Sequence, residues 1–268
     1  MLWKRVLTGA VLGAVLVAVV LYGRGWPFFL LAGGVVLLCA REYHRMFLPA
    51  SRDRRSGVAL TALAYAACAI LPHSFAVPSL LLCVLLAAFH VFPGEAPPAD
   101  KARSAAAIVL AVVYIGGFLA MYPRTRALPG GEHWVLFGLL VVTMGDTFAY
   151  FTGRGFGRRP LSPLSPKKTV EGTLGGLVAS IAFGGVYAGL FLPAVPVWFA
   201  AAGAGGLGVI GQAGDLFESL LKRAAGVKDS GSLLPGHGGM FDRADSLIAV
   251  GPALYLLATV SPLVGGQG

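Results

Sequence analysis

Residues 219–245 read SLLKRAAGVKDSGSLLPGHGGMFDRAD, the longest polar run in a chain that is otherwise apolar. Lys222, Arg223, Lys228, Asp229, His237, Asp242, Arg243 and Asp245 crowd into it, and Asp215 and Glu218 stand just ahead at the end of an apolar segment. A charged stretch between helices is most often a solvated loop. Three features set this one apart. Asp242 and Asp245 are three residues apart, so a helix beginning there carries both carboxylates on one face. Asp215 lies at the far end of the same loop, and three carboxylates drawn together at a membrane surface repel unless a cation neutralises them. Oxygen ligands of this kind, completed by substrate phosphates, suit Mg²⁺. The bases are interleaved with the acids, which a metal site alone does not require but a metal–phosphate site does. Finally, Gly236, His237, Gly238 and Gly239 make a side-chain-poor turn whose N–H groups can approach an anion closely.

What surrounds this stretch is lipid-loving. Of 268 residues, 56% are hydrophobic and only 12% charged, against about 25% charged in a soluble domain. Nine apolar segments run at about 1–22, 27–40, 57–71, 75–92, 105–122, 133–151, 173–192, 194–214 and 246–264, most near the ~20 residues a helix needs to cross a bilayer. The expected fold is therefore all-α and polytopic, with about nine transmembrane helices. The third segment is short and stops at Leu71-Pro72. The first, opening MLWKR, has a signal peptide as its rival reading. No small-x-small cleavage site follows it, and it counts here as a span. With a cytoplasmic N-terminus, eighteen of the twenty-one Lys and Arg fall inside, and only Arg24, Arg124 and Arg126 outside. That is the positive-inside pattern, and it puts the polar loops 152–172 and 215–245 in the cytoplasm. The net charge of +9 then reflects loops facing anionic lipid rather than a nucleic-acid partner. Cys39, Cys68 and Cys83 all sit in apolar runs, with no metal-binding or disulfide spacing.

A second informative stretch is GDTFAYFTGRGFGRRPLSPLSPKKTVEGTLGG, residues 145–176. Asp146 lies within an apolar helix, and an intramembrane carboxylate is a functional-site candidate. Ser165, Lys167, Lys168 and Thr169 offer hydroxyls and ammonium groups in a Pro-bounded segment suited to phosphate; the rival reading makes the lysines topology anchors. Arg154, Arg158 and Arg159 read as headgroup anchors. Residues 41–56, REYHRMFLPASRDRRS, read as a basic helix end on the anionic leaflet. Nothing in the first 130 residues forms a catalytic constellation, so 1–130 reads as a transmembrane scaffold and 131–268 as the catalytic region. There is no phosphate-binding P-loop, nucleophile elbow or zinc spacing.

The run S-x-x-K-R-x₄-K-D-x-G-x₂-L-P-x-H-G-G-M-x-D-R-x-D, across residues 219–245, resembles the signature of the phosphatidate cytidylyltransferases, the CDP-diacylglycerol synthases, and SPKKTVEG resembles a second segment of that family. Ala244 is one departure, standing where a larger apolar residue or Thr is expected, and it removes no reactive group. The resemblance implies that CTP and phosphatidic acid give CDP-diacylglycerol and pyrophosphate. It implies Mg²⁺ with a monovalent partner such as K⁺, the metal held by Asp215, Asp242 and Asp245. Lys222 and Arg223 join these as catalytic groups. Ser165, Lys167, Lys168, Thr169, Ser219, Lys228, Asp229, His237, Gly238, Gly239, Arg243 and Asp146 are the expected substrate contacts. The expected partners are CTP, phosphatidic acid and membrane lipids, with no nucleic acid, in a bacterial-type cytoplasmic membrane, and a homodimer is the open expectation for assembly. The rival functions are a CTP-dependent lipid or polyprenol kinase and, in a different class, a multi-pass transporter. The motifs of a CDP-alcohol phosphotransferase are absent.

Overall fold

The structure is a computed structural model, and it describes residues 13–23, 25–93, 95–231 and 238–261. His237 lies outside the described residues, as do Lys4, Arg5 and Arg24. Among the described residues, helix follows helix: α1 (Gly13–Tyr22), α2 (Trp26–Phe47), α3 (Ser51–Ile70), α4 (His73–His90), α5 (Pro98–Leu110), α6 (Met121–Ala127), α7 (Gly131–Phe156), α8 (Val170–Phe191), α9 (Val197–Ala224) and α10 (Phe241–Thr259). A π-helical segment, Ala111–Gly117, continues α5 towards α6, so that Pro98–Ala127 acts as one long apolar rod. Among the described residues, each apolar segment of the sequence falls mostly on helix.

Six of these helices are long and apolar enough to cross a membrane: α2, α4, the Pro98–Ala127 rod, α7, α8 and α9. The remainder fall short for visible reasons. The described part of α1 is too short. α3 opens on Arg52, Asp53, Arg54 and Arg55, and α10 opens on Asp242, Arg243 and Asp245, so their first turns are polar.

The all-α expectation has one exception. The 152–172 segment is not a plain loop: α7 continues to Phe156, and an antiparallel hairpin follows, β1 (Pro160–Ser162) and β2 (Ser165–Thr169). The hairpin is pinned to α8 by three local bonds. Thr169 caps α8 by accepting from Gly172 N at 3.1 Å, and Glu171 accepts from the main-chain N–H groups of Arg158 and Arg159 at 3.0 and 3.2 Å.

The second polar stretch also differs from the sequence reading. α9 runs on to Ala224, so Asp215 lies inside the helix and not at the edge of a loop. Asp215, Glu218 and Lys222, at i, i+3 and i+7, form a polar stripe down one face. That stripe meets α10 because Gly214 removes the obstacle: a Cβ there would sit 2.5 Å from the Ala249 Cβ and 3.0 Å from the Asp245 carbonyl oxygen. Small residues of this kind let membrane helices approach closely. The two sequence halves are tied together as well as juxtaposed, since Tyr122 of α6 donates to the Leu247 carbonyl of α10 at 2.9 Å.

Candidate active site

Three carboxylates, Asp215, Glu218 and Asp245, have oxygens within 4.8 Å of one another. Glu218 is 1% exposed. Lys222 Nζ lies 2.6 Å from one of its oxygens and shares that ammonium with Asp242. A buried cluster of carboxylates is costly unless cations offset its charge, and an all-oxygen set of this kind suits Mg²⁺. The residues present therefore fit a divalent cation at Asp215, Glu218 and Asp245.

Asp242 sits beside this cluster but is oriented differently. It accepts from Lys222 Nζ at 2.7 Å, from Ser230 N at 3.0 Å and from Gly239 N at 2.9 Å. The i, i+3 spacing does place Asp242 and Asp245 on successive turns of one helix, but α9 splits their roles. Lys222, one turn beyond Glu218, draws Asp242, while Asp245 faces Asp215. Glu218 stands where the sequence reading expected Asp242 among the three clustered acids. Lys222 bridges both groups, at 2.6 Å from Glu218 and 2.7 Å from Asp242.

The two polar stretches meet. Lys168 of β2 forms an ion pair with Asp215 of α9. Around that pair lies a cavity of about 410 Å³ bordered by Asp146, Arg154, Ser165, Lys167, Thr169 and Gln212. Gln212 holds the wall by donating to the Thr173 carbonyl at 3.1 Å. Asp146 is exposed on α7 and opens to this cavity. Strand alternation separates the adjacent lysines: Lys168 is half-buried on Asp215, whereas Lys167 is exposed where it borders the cavity. A second, apolar cleft of about 220 Å³ lies between α1, α2, α7 and α10, with Arg243, Met240 and Ala244 among its lining.

Other residues singled out from sequence stand at the margin. Arg223, Lys228, Asp229 and Arg243 are exposed, and Ser219 is half-buried on α9. Arg223 donates to the Val227 carbonyl at 3.2 Å. Gly238 has φ +81, the left-handed conformation that glycine adopts without cost, and buried Gly239 gives its N–H to Asp242.

One residue was passed over. Glu42, on α2, is 5% exposed and accepts from Ser230 Oγ at 3.1 Å, Met240 N at 3.0 Å and Phe241 N at 2.8 Å. Its partners lie 188 to 199 residues downstream, beyond any local pattern. The available signal was a lone acid between Arg41 and Arg45 on an apolar helix.

A model of the cytidylyltransferase family matches residues 3–261. A phosphatidate cytidylyltransferase from Staphylococcus saprophyticus is 44% identical over 155 residues, which is 57% of this chain and 58% of that protein. One from Bacillus subtilis is 41% identical over 152 residues, 56% of each chain. The chloroplastic phosphatidate cytidylyltransferase 4 of Arabidopsis thaliana is 34% identical over an alignment of 286 residues, covering 94% of this chain and 72% of that one. The match to the bacterial relatives thus spans less than two thirds of their length, while the family match runs nearly end to end. On that match, the chain belongs to the cytidylyltransferase family.

Proposed function

We propose that the protein transfers a cytidylyl group from CTP to phosphatidic acid, forming CDP-diacylglycerol and releasing pyrophosphate. The observation that carries this reading is the gathering of Asp215, Glu218 and Asp245 beside Lys168, which pairs with Asp215, at a cavity also bordered by Lys167, Ser165 and Thr169. A separate apolar cleft is bordered by Met240 and Arg243 of α10. A substrate with two acyl chains and a phosphate needs the second kind of space, and a nucleoside triphosphate needs the first.

In this reading a phosphate oxygen of phosphatidic acid attacks the α-phosphorus of CTP. A P–O bond forms there, and the bond to the β-phosphate oxygen breaks, so pyrophosphate leaves. Phosphatidic acid is already largely ionised near neutral pH, and the attack needs no strong base. The task is to bring two polyanions together. Asp215, Glu218 and Asp245 would hold Mg²⁺, with a monovalent ion such as K⁺ as its partner, and the bound ion supplies charge neutralisation and polarises the α-phosphate. Lys168 and Lys167 face the triphosphate side, Lys222 fixes Asp242 and Glu218 relative to each other, and Arg223, Lys228 and Arg243 meet phosphates at the margin. Ser165, Thr169 and Asp146 shape the nucleotide cavity.

The same proposal includes nine spans, a cytoplasmic N-terminus, a bacterial-type cytoplasmic membrane and a homodimer. The grouping of basic segments supports the orientation. The end of α2, the start of α3, the hairpin and the end of α9 carry most of the Lys and Arg, whereas Arg124 and Arg126 stand at the opposite ends of the helices. Cysteines placed at Ser162 and Ser230 should react with reagents only from the cytoplasmic side. Purified protein given labelled CTP and phosphatidic acid should form CDP-diacylglycerol in a Mg²⁺-dependent manner; a protein that is folded yet forms none under these conditions refutes the assignment.

A further inference from the structure

α10 begins without a cap of its own. Met240, at the N-cap position, offers no side-chain hydrogen bond to the first turn, although the first N–H groups of any helix need acceptors. Glu42 supplies them from another part of the chain, taking the N–H groups of Met240 and Phe241. It simultaneously takes the Ser230 hydroxyl, on the other bank of the connection between α9 and α10. The fit is close on both sides. A Cβ added at Gly231 would fall 2.7 Å from one Glu42 oxygen, and at Gly239 it would press on the other. Asp242 makes a parallel clasp, joining Ser230 N and Gly239 N. Two carboxylates therefore hold the same two banks, one from α10 itself and one from α2.

A helix-packing role alone does not call for a carboxylate at this position. Burying one is expensive unless it is fully hydrogen-bonded, and an apolar side chain of similar volume is usually no less stable. What an apolar residue could not do is fix the azimuth at which α10 leaves the connection. That azimuth decides whether Asp242 reaches Lys222 and whether Asp245 reaches Asp215 and Glu218.

We infer that Glu42 is a positioning residue of the active site: from α2 it clamps Ser230 to the first turn of α10 and thereby sets where Asp242 and Asp245 stand. This rests on the proposed cytidylyl transfer only for its kinetic consequence, and the clamp itself is measurable without it. The test uses the full chain in lipid nanodiscs, comparing wild type, Glu42→Gln, Ser230→Ala and the double variant. Glu42→Gln keeps the length of the side chain but loses the charge and one acceptor oxygen. The expected result is a folded protein in which the Met240 and Phe241 amides exchange at least about tenfold faster. Its kcat should fall by at least about tenfold while KM for CTP moves by less than about threefold, because the nucleotide cavity on α7, α8 and the hairpin is untouched. Ser230→Ala should act in the same direction and more weakly, and the double variant should be no worse than Glu42→Gln, as expected for two parts of one clamp. A lowered thermal midpoint with wild-type turnover per folded molecule and wild-type exchange at those amides would overturn the inference and leave Glu42 a stability element. If Glu42→Gln does not fold, Ser230→Ala decides by the same two readouts. If wild type transfers no cytidylyl group, the functional proposal fails by itself, and amide exchange alone decides whether the clamp exists.

Discussion

The two ends of this helical assembly treat charge in opposite ways. Where α1 stops and α7 starts, Arg126 is 8% exposed and bonded through each of its three nitrogens. It donates to the Val20 carbonyl at 2.6 Å and the Leu21 carbonyl at 3.2 Å, and pairs with Glu132 at 3.0 Å. Arg124 likewise reaches the carbonyls of Cys68 and Leu71. These guanidiniums are bonded chiefly to main-chain carbonyls at helix ends. From there to Glu42, α2 spans about 25 Å at 1.5 Å per residue, and the pattern inverts. At the far end, carboxylates are gathered with other carboxylates, buried Glu218 shares the ammonium of Lys222 with Asp242, and Lys167 and Lys168 border an open cavity. A charge satisfied by backbone carbonyls is structure. Like charges held together beside empty space need something else to be complete, and that difference separates a scaffold end from a site.

The largest effect that could break this contrast lies in the cluster. Asp245→Asn and Asp215→Asn should each lower turnover by about a hundred- to a thousandfold, the scale seen when a group that stabilises developing charge is removed, with helicity and membrane insertion unchanged. Asp242→Asn should be comparably severe, because it releases Lys222 and both banks of the connection. Near-normal activity of the Asp245 variant across Mg²⁺ concentrations would show that the cluster is not the reaction centre.

How much of this could be read from residues alone depended on range. The helices were legible because each apolar run signals itself, and α9 outlasted its apolar run only because its polar residues share one face. The hairpin was not legible: SPKKT is five residues long and begins Ser-Pro, too short for period-two alternation to register. The acidic site was half legible. Its members stand in the quoted stretch or just ahead of it, but the exchange of Glu218 for Asp242 in the cluster depends on where Lys222 points, which is a matter of tertiary packing. Glu42 was out of reach, since its three donors belong to residues near the other end of the chain.

The next effect comes from the opposite end and sharpens the comparison. Arg126→Gln should cost about 2–3 kcal/mol of stability, since it strips two carbonyls and Glu132 of their partner in a nearly buried setting. Turnover per folded molecule should stay at the wild-type value. Thermal unfolding in detergent with parallel steady-state kinetics checks both halves of that statement. A fall in kcat with an unchanged unfolding midpoint would erase the distinction between the two ends.

Within the active end, Lys168 and Lys167 divide a segment that sequence treats as uniform. Lys168 is paired with Asp215 and half-buried, so Lys168→Gln removes a charge-assisted contact at the cluster itself. About tenfold lower kcat/KM for CTP is expected, roughly 1.4 kcal/mol, towards the low end for a bond to a charged group because water partly screens it. Lys167→Gln, at an exposed position, should show a smaller loss. Equal losses at both positions would mean that the strand turns both lysines to the nucleotide when it binds.

The smallest expected effect concerns Arg223, which the sequence reading sets beside Lys222 as catalytic, and Lys228, which it makes a substrate contact. All three belong to one motif, yet only Lys222 is held between carboxylates; Arg223, next to it in the last turn of α9, and Lys228, past the helix end, are exposed. An exposed cation attracts a polyanion through water, and such attraction is worth under about 1 kcal/mol and falls as salt screens it. A buried one, by contrast, contributes at the reacting atoms and is little affected by salt. Arg223→Gln and Lys228→Gln should therefore raise KM for CTP by about two- to fivefold at low ionic strength, leave kcat unchanged, and converge on wild type near 0.5 M salt, where the screening length is down to about 4 Å. Measuring KM and kcat at two salt concentrations distinguishes the cases. If either variant loses kcat at both concentrations, that side chain enters the reaction centre when substrate binds, and the boundary drawn here between cluster and margin moves outward to include it.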